Sequence, residues 1–459
     1  MKNPLIIPEI KDLLKKNKLS ILKNFMAEHH PQEIAEYIQL LNHNEIWQLF
    51  NLVDTKQSVE IFSFFEIDVQ ADLAAGSMRK NITVLLQEMS HDDRADLFNY
   101  LDRNIANKLL LLLPVSDRAD VIKLTSYEED TAGGIMTTDY ATLNEDETVE
   151  ISIKKIRKMA PSRETVFYIY VTDNEGKLIG FVSLTDLILA RPSQKISKIM
   201  KKDIIFGQTD NDREIIAELI GKYDLLAIPI VDKDEKLAGI VTYDDAIDVI
   251  REEQTEDMEK FMAISGGVEE KGYLDVPALV HFKKRAFWVV TLGFFGLLTG
   301  LIVESFQKTL EALIILTFYM PLLNAAGGNT GSQSATVVLR AMTLRELDPR
   351  DILKVMKKEI VISFLLSLCL GTMTFLRVYF FTSASTIPAT FTMLNISLVI
   401  GISLMLQVIW STMFGAVVPI LAEKVKVDPA VVSSPLLTTF VDMGGIIIYF
   451  LMAKLILGI

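Results

Sequence analysis

Pro429–Ile459 reads PAVVSSPLLTTFVDMGGIIIYFLMAKLILGI, and the reading of this stretch decides the fold. It is long enough to cross a bilayer, since about 20 apolar residues span the hydrocarbon. Asp442 stands near its midpoint. A carboxylate at that depth costs roughly 2.5–3.5 kcal/mol on insertion scales, so it is expected to face water, a cation or a partner group rather than lipid. Ser434, Thr438 and Asp442 recur at i, i+4 and i+8, which puts three oxygen-bearing side chains on one helix face. A stripe of hard oxygen ligands with one negative charge suits a cation path. The plainer alternative is a buried Asp bonded to a neighbouring helix.

Upstream, Ala286–Val303, Ala312–Leu339 and Ile360–Leu376 hold no charged residue. Val378–Ala422 holds none either, but TSASTIPAT (Thr382–Thr390) is a polar, Pro-containing loop, so the fourth span is expected to start near Thr392. With Pro429–Leu457 that makes five spans, each long enough to cross with some tilt. Lys and Arg crowd the segment before span 1 and the loops between spans 2 and 3 and between spans 4 and 5. The basic loops are expected to be cytoplasmic, with the N-terminal region inside and the C-terminus outside a multi-pass protein of the cell membrane.

Span 2, FYMPLLNAAGGNTGSQSATVVLRAM (Phe318–Met342), is expected to be a broken helix. Pro321 removes a hydrogen bond, Gly327-Gly328 loosens the turns after it, and Asn329, Thr330, Ser332, Gln333 and Ser334 follow at membrane depth. Irregular polar backbone there lines a cavity or is buried in protein, and broken helices point to a binding site. Five helices are few for a lined pore. A homodimer supplies ten and brings two copies of Asp442 near one axis. Gly296 and Gly300 form a GxxxG that permits close helix contact.

The remaining residues are soluble and acidic. The 459-residue chain carries a formal charge of −13, which argues against a nucleic-acid partner, since phosphate binding needs a basic face. MKNPLIIPEIKDLLKKNK at the start lacks the apolar core of a secretory signal. Cys369 is the only cysteine, so no disulfide or cysteine metal site is expected within one chain. His29, His30, His43, His91 and His281 show no metal-motif spacing, and no nucleophile–base constellation marks an enzyme.

Two repeats organise this region. Asp93-Arg-Ala-Asp96-Leu97 recurs as Asp117-Arg-Ala-Asp120-Val121 among short amphipathic helices, the pattern of a small helical solenoid. Asp93 and Asp96 share one helix face, where the bland reading is a first turn favoured by the helix dipole. YIYVTDNEGKLIGFVSLTD (Tyr168–Asp186) recurs as AIPIVDKDEKLAGIVTYDD (Ala227–Asp245) at an offset of 59. Each copy gives a β-run, a polar turn, a Lys-Leu-x-Gly step, a second β-run and an Asp opening a helix, so two β-α-β-β-α units are expected to pack sheet to sheet. YDDAIDVIREEQTEDME (Tyr243–Glu259) then carries Asp244, Asp248, Glu252 and Glu256 at i, i+4 along one face. Like charges at that spacing destabilise a helix by a few tenths of a kcal/mol per pair. Divalent cations bridging them reverse the sign; a solvated linker is the plain alternative.

The Tyr168 and Ala227 copies resemble a pair of cystathionine-β-synthase-type (CBS) domains. Gly180-x-x-Ser183-x-x-Asp186 and Gly239-x-x-Thr242-x-x-Asp245 match that family's adenosine-contact step, which implies ATP as a possible ligand of Ser183, Asp186, Thr242 and Asp245. The whole chain resembles the MgtE-type magnesium transporters, most specifically in PLLNAAGGNTGSQSATVVLRA, EEDTAG (Glu128–Gly133) and VDPAVVSSPLLTTFVDMGG. The resemblance implies a multidomain fold. An all-α superhelical N domain (1–128) precedes tandem α/β CBS domains (129–253, about 129–198 and 199–253). A connecting helix (254–284) then leads to an α-helical membrane bundle of five spans (285–459).

It further implies a homodimer in the lipid bilayer whose pore passes Mg²⁺ and closes when cytoplasmic Mg²⁺ binds. Asp442 matches the pore acid and Asp428 the acid at the cytoplasmic mouth, with Asn329, Ser434 and Thr438 in the pore wall. Ser434 stands where the family is expected to have Asn. Asp245, Asp248, Glu253, Glu256 and Asp257 match sensor ligands at the CBS–helix junction. Asp212, Glu214 and Asp224 match sensor positions in the second CBS copy, and Asp93, with Asp96 beside it, is the N-domain partner. Mg²⁺ demands octahedral oxygen geometry and dehydrates reluctantly, which suits a pore of hydroxyls, amides and few carboxylates. The competing classes are a CBS-gated transporter of another divalent cation or solute, and a membrane-anchored sensor that does not conduct.

Overall fold

The computed structural model describes residues 6–76, 79–159, 167–267, 273–274, 276–383, 387–388, 390–431 and 434–458. Residues 384–386 and 389 of the expected polar loop, and 268–272 and 275 of the expected connecting helix, lie outside them. The chain divides into two compact units, Met1–Glu253 and Gln254–Ile459.

The first unit opens with short helices: α1 (Ile6–Lys15), α2 (Leu19–Glu28), α3 (Pro31–Ile38), α4 (His43–Phe50), α5 (Thr55–Ser63), α6 (Ile67–Gly76), α7 (Arg79–Glu88), α8 (His91–Tyr100), α9 (Arg103–Leu110) and α10 (Val115–Leu124). Polar residues start several of them. Asn42 and Glu45 form a reciprocal capping box, and Asp54 and Asp102 accept from the first turns of α5 and α9. Leu22, Ile34, Ile46, Phe62, Leu73, Leu86 and Leu97 close one continuous core. The Asp-Arg-Ala-Asp repeat has a structural use. The fully buried Arg94 guanidinium on α8 donates to the Leu86 carbonyl near the end of α7, at 2.9 Å. Arg118 on α10 donates to the Leu111 and Leu113 carbonyls after α9. Each arginine satisfies carbonyls that a helix end leaves open.

The CBS-like repeats form as expected. β1 (Thr142–Asn144), α11 (Val149–Met159), β2 (Tyr168–Thr172), β3 (Leu178–Ser183) and α12 (Leu184–Leu189) make the first copy. β4 (Gly207–Gln208), α13 (Arg213–Lys222), β5 (Ala227–Val231), β6 (Leu237–Thr242) and α14 (Tyr243–Phe261) follow. Each sheet has one parallel and one antiparallel pair, in the orders β1-β2-β3 and β4-β5-β6. Tyr170, Ala227 and Ile240 pack the copies together, and Leu178 N–H donates to the Glu235 carbonyl across their hairpin turns. The glycine of each Lys-Leu-x-Gly step is needed where a crossing segment comes close: a Cβ on Gly180 would press on the Lys201 carbonyl, and one on Gly239 on that of Thr137. Ala95 and Leu124 of the helical region share a core with Met136, Ile216, Ile228 and Val241, which fixes α8 against the second copy.

In the second unit, α14 ends at Phe261 and α15 (Ala278–Ser305) begins at Ala278, so the expected connecting segment is not one helix. Ala263, in the left-handed region just past Phe261, ends α14, and Ile264 N–H closes onto the Glu259 carbonyl. After α16 (Gln307–Ala312) come α17 (Ile315–Thr343), α18 (Ile352–Phe381), α19 (Met393–Lys424) and α20 (Ser434–Leu457). Thr392 caps α19, where the fourth span was expected to start. Among the described residues, four helices are long and apolar enough to cross a membrane: Ala278–Ser305, Pro349–Phe381, Met393–Lys424 and Ser434–Leu457. The fifth, α17, has 29 residues and a more polar sequence.

The expectation of a broken second span is corrected, since α17 runs continuously through Pro321 and Gly327-Gly328. The small residues serve close approach instead of unwinding: a Cβ on Gly415 of α19 would fall onto the Gly331 carbonyl of α17. Neighbouring polar groups answer the rest. Thr330 Oγ1 lies 2.6 Å from Ser411 Oγ, and Ser334 Oγ donates to Glu359 Oε2 at 2.8 Å. Gly296 and Gly300, by contrast, have open space beside them within one chain.

Candidate functional site

The membrane helices gather the expected pore residues along one edge. Ser332 Oγ on α17 lies 2.9 Å from Ser434 Oγ and 3.4 Å from Thr438 Oγ1 on α20. One turn beyond Thr438, Asp442 is half-buried, and its Oδ1 is buried without a partner among the described residues. Beside this line, Asn329, Gln333 and Thr336 of α17 form an exposed polar stripe at i, i+4, i+7. Phe440, Ile447, Leu451 and Leu455 give α20 a separate apolar face suited to lipid. A polar edge at this depth needs water or protein against it. Glu359, at the head of α18, is a buried carboxyl that sequence reading missed because it bounded an uncharged run.

Asp428, Glu256 and Asp257 meet around a residue that sequence reading also missed. Lys260 Nζ lies 3.0 Å from Glu256 Oε1 and 3.0 Å from Asp428 Oδ2. Burial pushes the Asp257 carboxyl up, and the charge of Asp428 adds to it.

A second cluster lies in the first unit, where α8 meets the start of α14. Burial raises the Asp93 carboxyl against hydrogen bonds from Ser63 and Ser90, and Asp244 raises it further. Asp96 is open to solvent on one side and closely packed on the others. That packing, then Asp93, Asp245, Glu129 and Glu252, pushes its carboxyl up to about 7. Asp245 is pushed up to about 6 by burial, with Asp244 and Asp93 adding to it, although Thr242 hydrogen-bonds to it. Carboxylates from two domains therefore face one another across a cleft that disfavours their charged forms. Among the described residues, no three His, Cys, Asp or Glu are grouped as a ready-made metal cage. The crowding fits a cation held through its water shell, as Mg²⁺ is held by few carboxylates.

Other expected sensor residues have local work. Asp212 caps α13 by accepting from Glu214 N–H. Asp224 is exposed, in a left-handed turn after α13. Arg213 holds Glu252 and Glu253, each at 2.9 Å. Asp248 is solvent-exposed and pairs with Arg251 at 3.3 Å.

The two hydroxyl–Asp steps are helix caps: Ser183 Oγ donates to Asp186 Oδ2 at 2.6 Å at the start of α12, and Thr242 bonds Asp245 likewise. Neither pair lines the cleft between the copies. That cleft, of about 190 Å³, is walled by Tyr168, Tyr170, Phe181, Lys201, Ile205 and Pro229, among others. Asp186 reaches it through Lys201, 3.2 Å away. Thr242 and Asp245 instead lie near Asp93 and Asp244.

Comparison with known proteins agrees with this layout. A family model described as a divalent cation transporter matches residues 320–452, one for the MgtE intracellular N domain matches 29–130, and the CBS domain matches 132–193 and 196–252. The magnesium transporter MgtE of Thermus thermophilus is 35% identical over 451 residues, covering 98% of each chain. The chain belongs to the MgtE magnesium transporter family. The MgtE of Bacillus subtilis is 30% identical and covers 95% of this chain and 94% of its own. The crystal structure of the cytosolic domain of the Mg²⁺ channel MgtE in complex with ATP is 34% identical, with a TM-score of 0.50. It covers 53% of this chain and 99% of that chain.

The acidic cleft sets a pH dependence. Asp96 and Asp245 have folded-state carboxyls raised above their ordinary value, so the docked state binds protons that the separated state releases. Their contribution is most favourable at low pH and is lost as pH rises through about 6 to 7. We expect the melting temperature of the cytoplasmic unit, in the full-length protein with chelator, to fall between about pH 5.5 and about pH 8. Millimolar Mg²⁺ should restore it at the upper end. A melting temperature flat across that range, with and without Mg²⁺, would contradict the reading.

Proposed function

We propose that this member of the family is a Mg²⁺-conducting channel, a homodimer that closes when cytoplasmic Mg²⁺ fills the acidic cleft. The observation that carries conduction is the uncovered polar edge of α17 and α20, which ends at a buried carboxylate oxygen with no partner among the described residues. A second copy laid against that edge would enclose a path lined by hydroxyls, amides and two Asp442 side chains. Such a lining attracts a cation and leaves much of its hydration in place. The basic loops support an orientation with the acidic unit in the cytoplasm and the C-terminus outside.

Gating follows from charge. At low Mg²⁺, Asp93, Asp96, Asp244 and Asp245 repel across the cleft. Two such charges about 6 Å apart repel by about 3 kcal/mol at an effective dielectric near 20. Cations entering the cleft reverse that sign and favour the docked arrangement. α14 begins in the second CBS copy and continues into the second unit, so a change at its start has a covalent route towards the membrane helices. Several weak sites, each worth about 1–3 kcal/mol of coupling, give a steep response without any tight site.

A second reading concerns nucleotide. The relative whose structure holds ATP, together with the aromatic cleft beside Lys201, supports ATP binding between the CBS copies. Here Tyr168, Tyr170 and Phe181 would take the base, and Lys201 would meet phosphate.

Three outcomes test this account. Asp442→Asn keeps side-chain volume and removes charge, and should abolish Mg²⁺ flux into liposomes while the protein stays folded; wild-type flux would remove Asp442 from the path. Asp93→Asn, Asp96→Asn and Asp245→Asn together should leave a pore that conducts but no longer shuts as internal Mg²⁺ rises. Closure at the wild-type concentration would place the sensor elsewhere. For nucleotide, calorimetric titration of the full-length protein with ATP should show binding that Lys201→Ala weakens about tenfold, the scale of one lost charge-assisted hydrogen bond. No heat at millimolar ATP would retire the idea.

A further inference from the structure

α18 buries its small and polar residues and exposes its apolar ones. Glu359, Ser363, Ser367, Gly371 and Thr374 recur at steps of three and four along its buried side. That side packs along α19, where a Cβ on Gly371 would strike Met405. Much of the remaining circumference is apolar and uncovered. Leu353, Ile360, Val361, Phe364 and Leu365 are between 50% and 68% exposed. A helix long enough to cross a membrane with such a surface meets lipid there.

Three exposed lysines interrupt this surface at one end: Lys354, Lys357 and Lys358. Lys354 pairs with Asp351 at 2.7 Å. Lys357 and Lys358 have no ion pair or hydrogen bond among the described residues. The sequence shows why, since neither has an acid three or four residues away, and Lys354 at that spacing adds repulsion. Glu359, next to them in the chain, turns to the buried side and accepts from Ser334 of α17 at 2.8 Å. Exposed apolar side chains bracket the two ammonium groups along the helix, with Leu353 one turn before Lys357 and Ile360 and Val361 one turn after it. Hydrocarbon does not suit the charges, and bulk water does not suit their apolar neighbours. The headgroup layer of a bilayer suits both.

We propose that this turn of α18 holds an anionic phospholipid, its phosphate on Lys357 and Lys358 and its acyl chains along Ile360, Val361 and Phe364. Unopposed positive charge selects the anionic headgroup, and the apolar stripe that continues from it selects a lipid over a soluble phosphate. The buried side of the same turn is tied to α17 through Glu359, so the lipid holds the outside of a turn whose inside holds the bundle.

The test measures lipid preference at this one place. Full-length protein carrying Cys369→Ala and Phe364→Cys is labelled with a fluorophore at position 364 and reconstituted into phosphatidylcholine vesicles. Brominated phosphatidylglycerol or brominated phosphatidylcholine then replaces part of the lipid as quencher. Phosphatidylglycerol should quench at the lower mole fraction. Lys357→Gln with Lys358→Gln should lower that preference about thirtyfold, the equivalent of about 1 kcal/mol for each lysine at an anionic surface. Lys357→Arg with Lys358→Arg should keep it. Millimolar glycerol 3-phosphate in the aqueous phase should leave the quenching unchanged. Equal quenching by the two lipids in the protein with both lysines overturns the proposal without any lysine variant. An undiminished preference in the double Gln variant overturns it too. Displacement by glycerol 3-phosphate would assign the lysines to a soluble phosphate, and no quenching by either lipid would put a second copy of the chain on this face; either result contradicts the lipid site.

Discussion

Polar groups at membrane depth must be met inside the protein or by water, and the second unit is organised by that constraint. A helix as polar as α17 would be costly to leave against lipid. Its glycines let α19 and α20 come close, and Thr330, Ser332 and Ser334 then find Ser411, Ser434 and Glu359. Asn324, Gln407 and Asp442 each keep a buried oxygen without a partner among the described residues, as do Thr374 and Ser403.

The first unit works by the opposite device. There the unfavourable groups are carboxylates brought together by folding, and an apolar contact of Ala95 and Leu124 with the second CBS copy holds them in place. The neighbouring acids raise the cost of that contact, and protonation lowers it. Arg213 pairs with Glu252 and Glu253, whereas Asp93, Asp96 and Asp245 crowd one another. Near the membrane helices, Lys260 does for Glu256 and Asp428 what Arg213 does for its pair.

Much of the architecture was legible in the sequence because it rests on period and length. The 59-residue offset marked the two CBS-like copies, uncharged runs marked the membrane helices, and Thr392 marked the start of α19. The α17 break was misread because Pro and Gly have two uses, loosening a helix and letting one pack closely, and only a neighbour such as Gly415 distinguishes them. Partnership was least legible. The sequence did not show that Glu253 pairs with Arg213, or that Ser183 and Asp186 bond one another at a helix start. Arg94, Lys260 and Glu359 gave no signal, since each takes its meaning from residues distant in sequence.

The central claim is that the polar edge of α17 and α20 is a water-filled cation path. Thiol scanning tests it most directly, in a background where Cys369, the only native cysteine, is replaced by alanine. Gln333→Cys and Thr336→Cys should react with a charged, membrane-impermeant thiol reagent added from the aqueous phase, and Mg²⁺ should slow the reaction. Leu451→Cys, on the apolar face of α20, should not react. Equal silence at all three positions, or labelling at Gln333 and Thr336 that Mg²⁺ leaves untouched, would contradict the account.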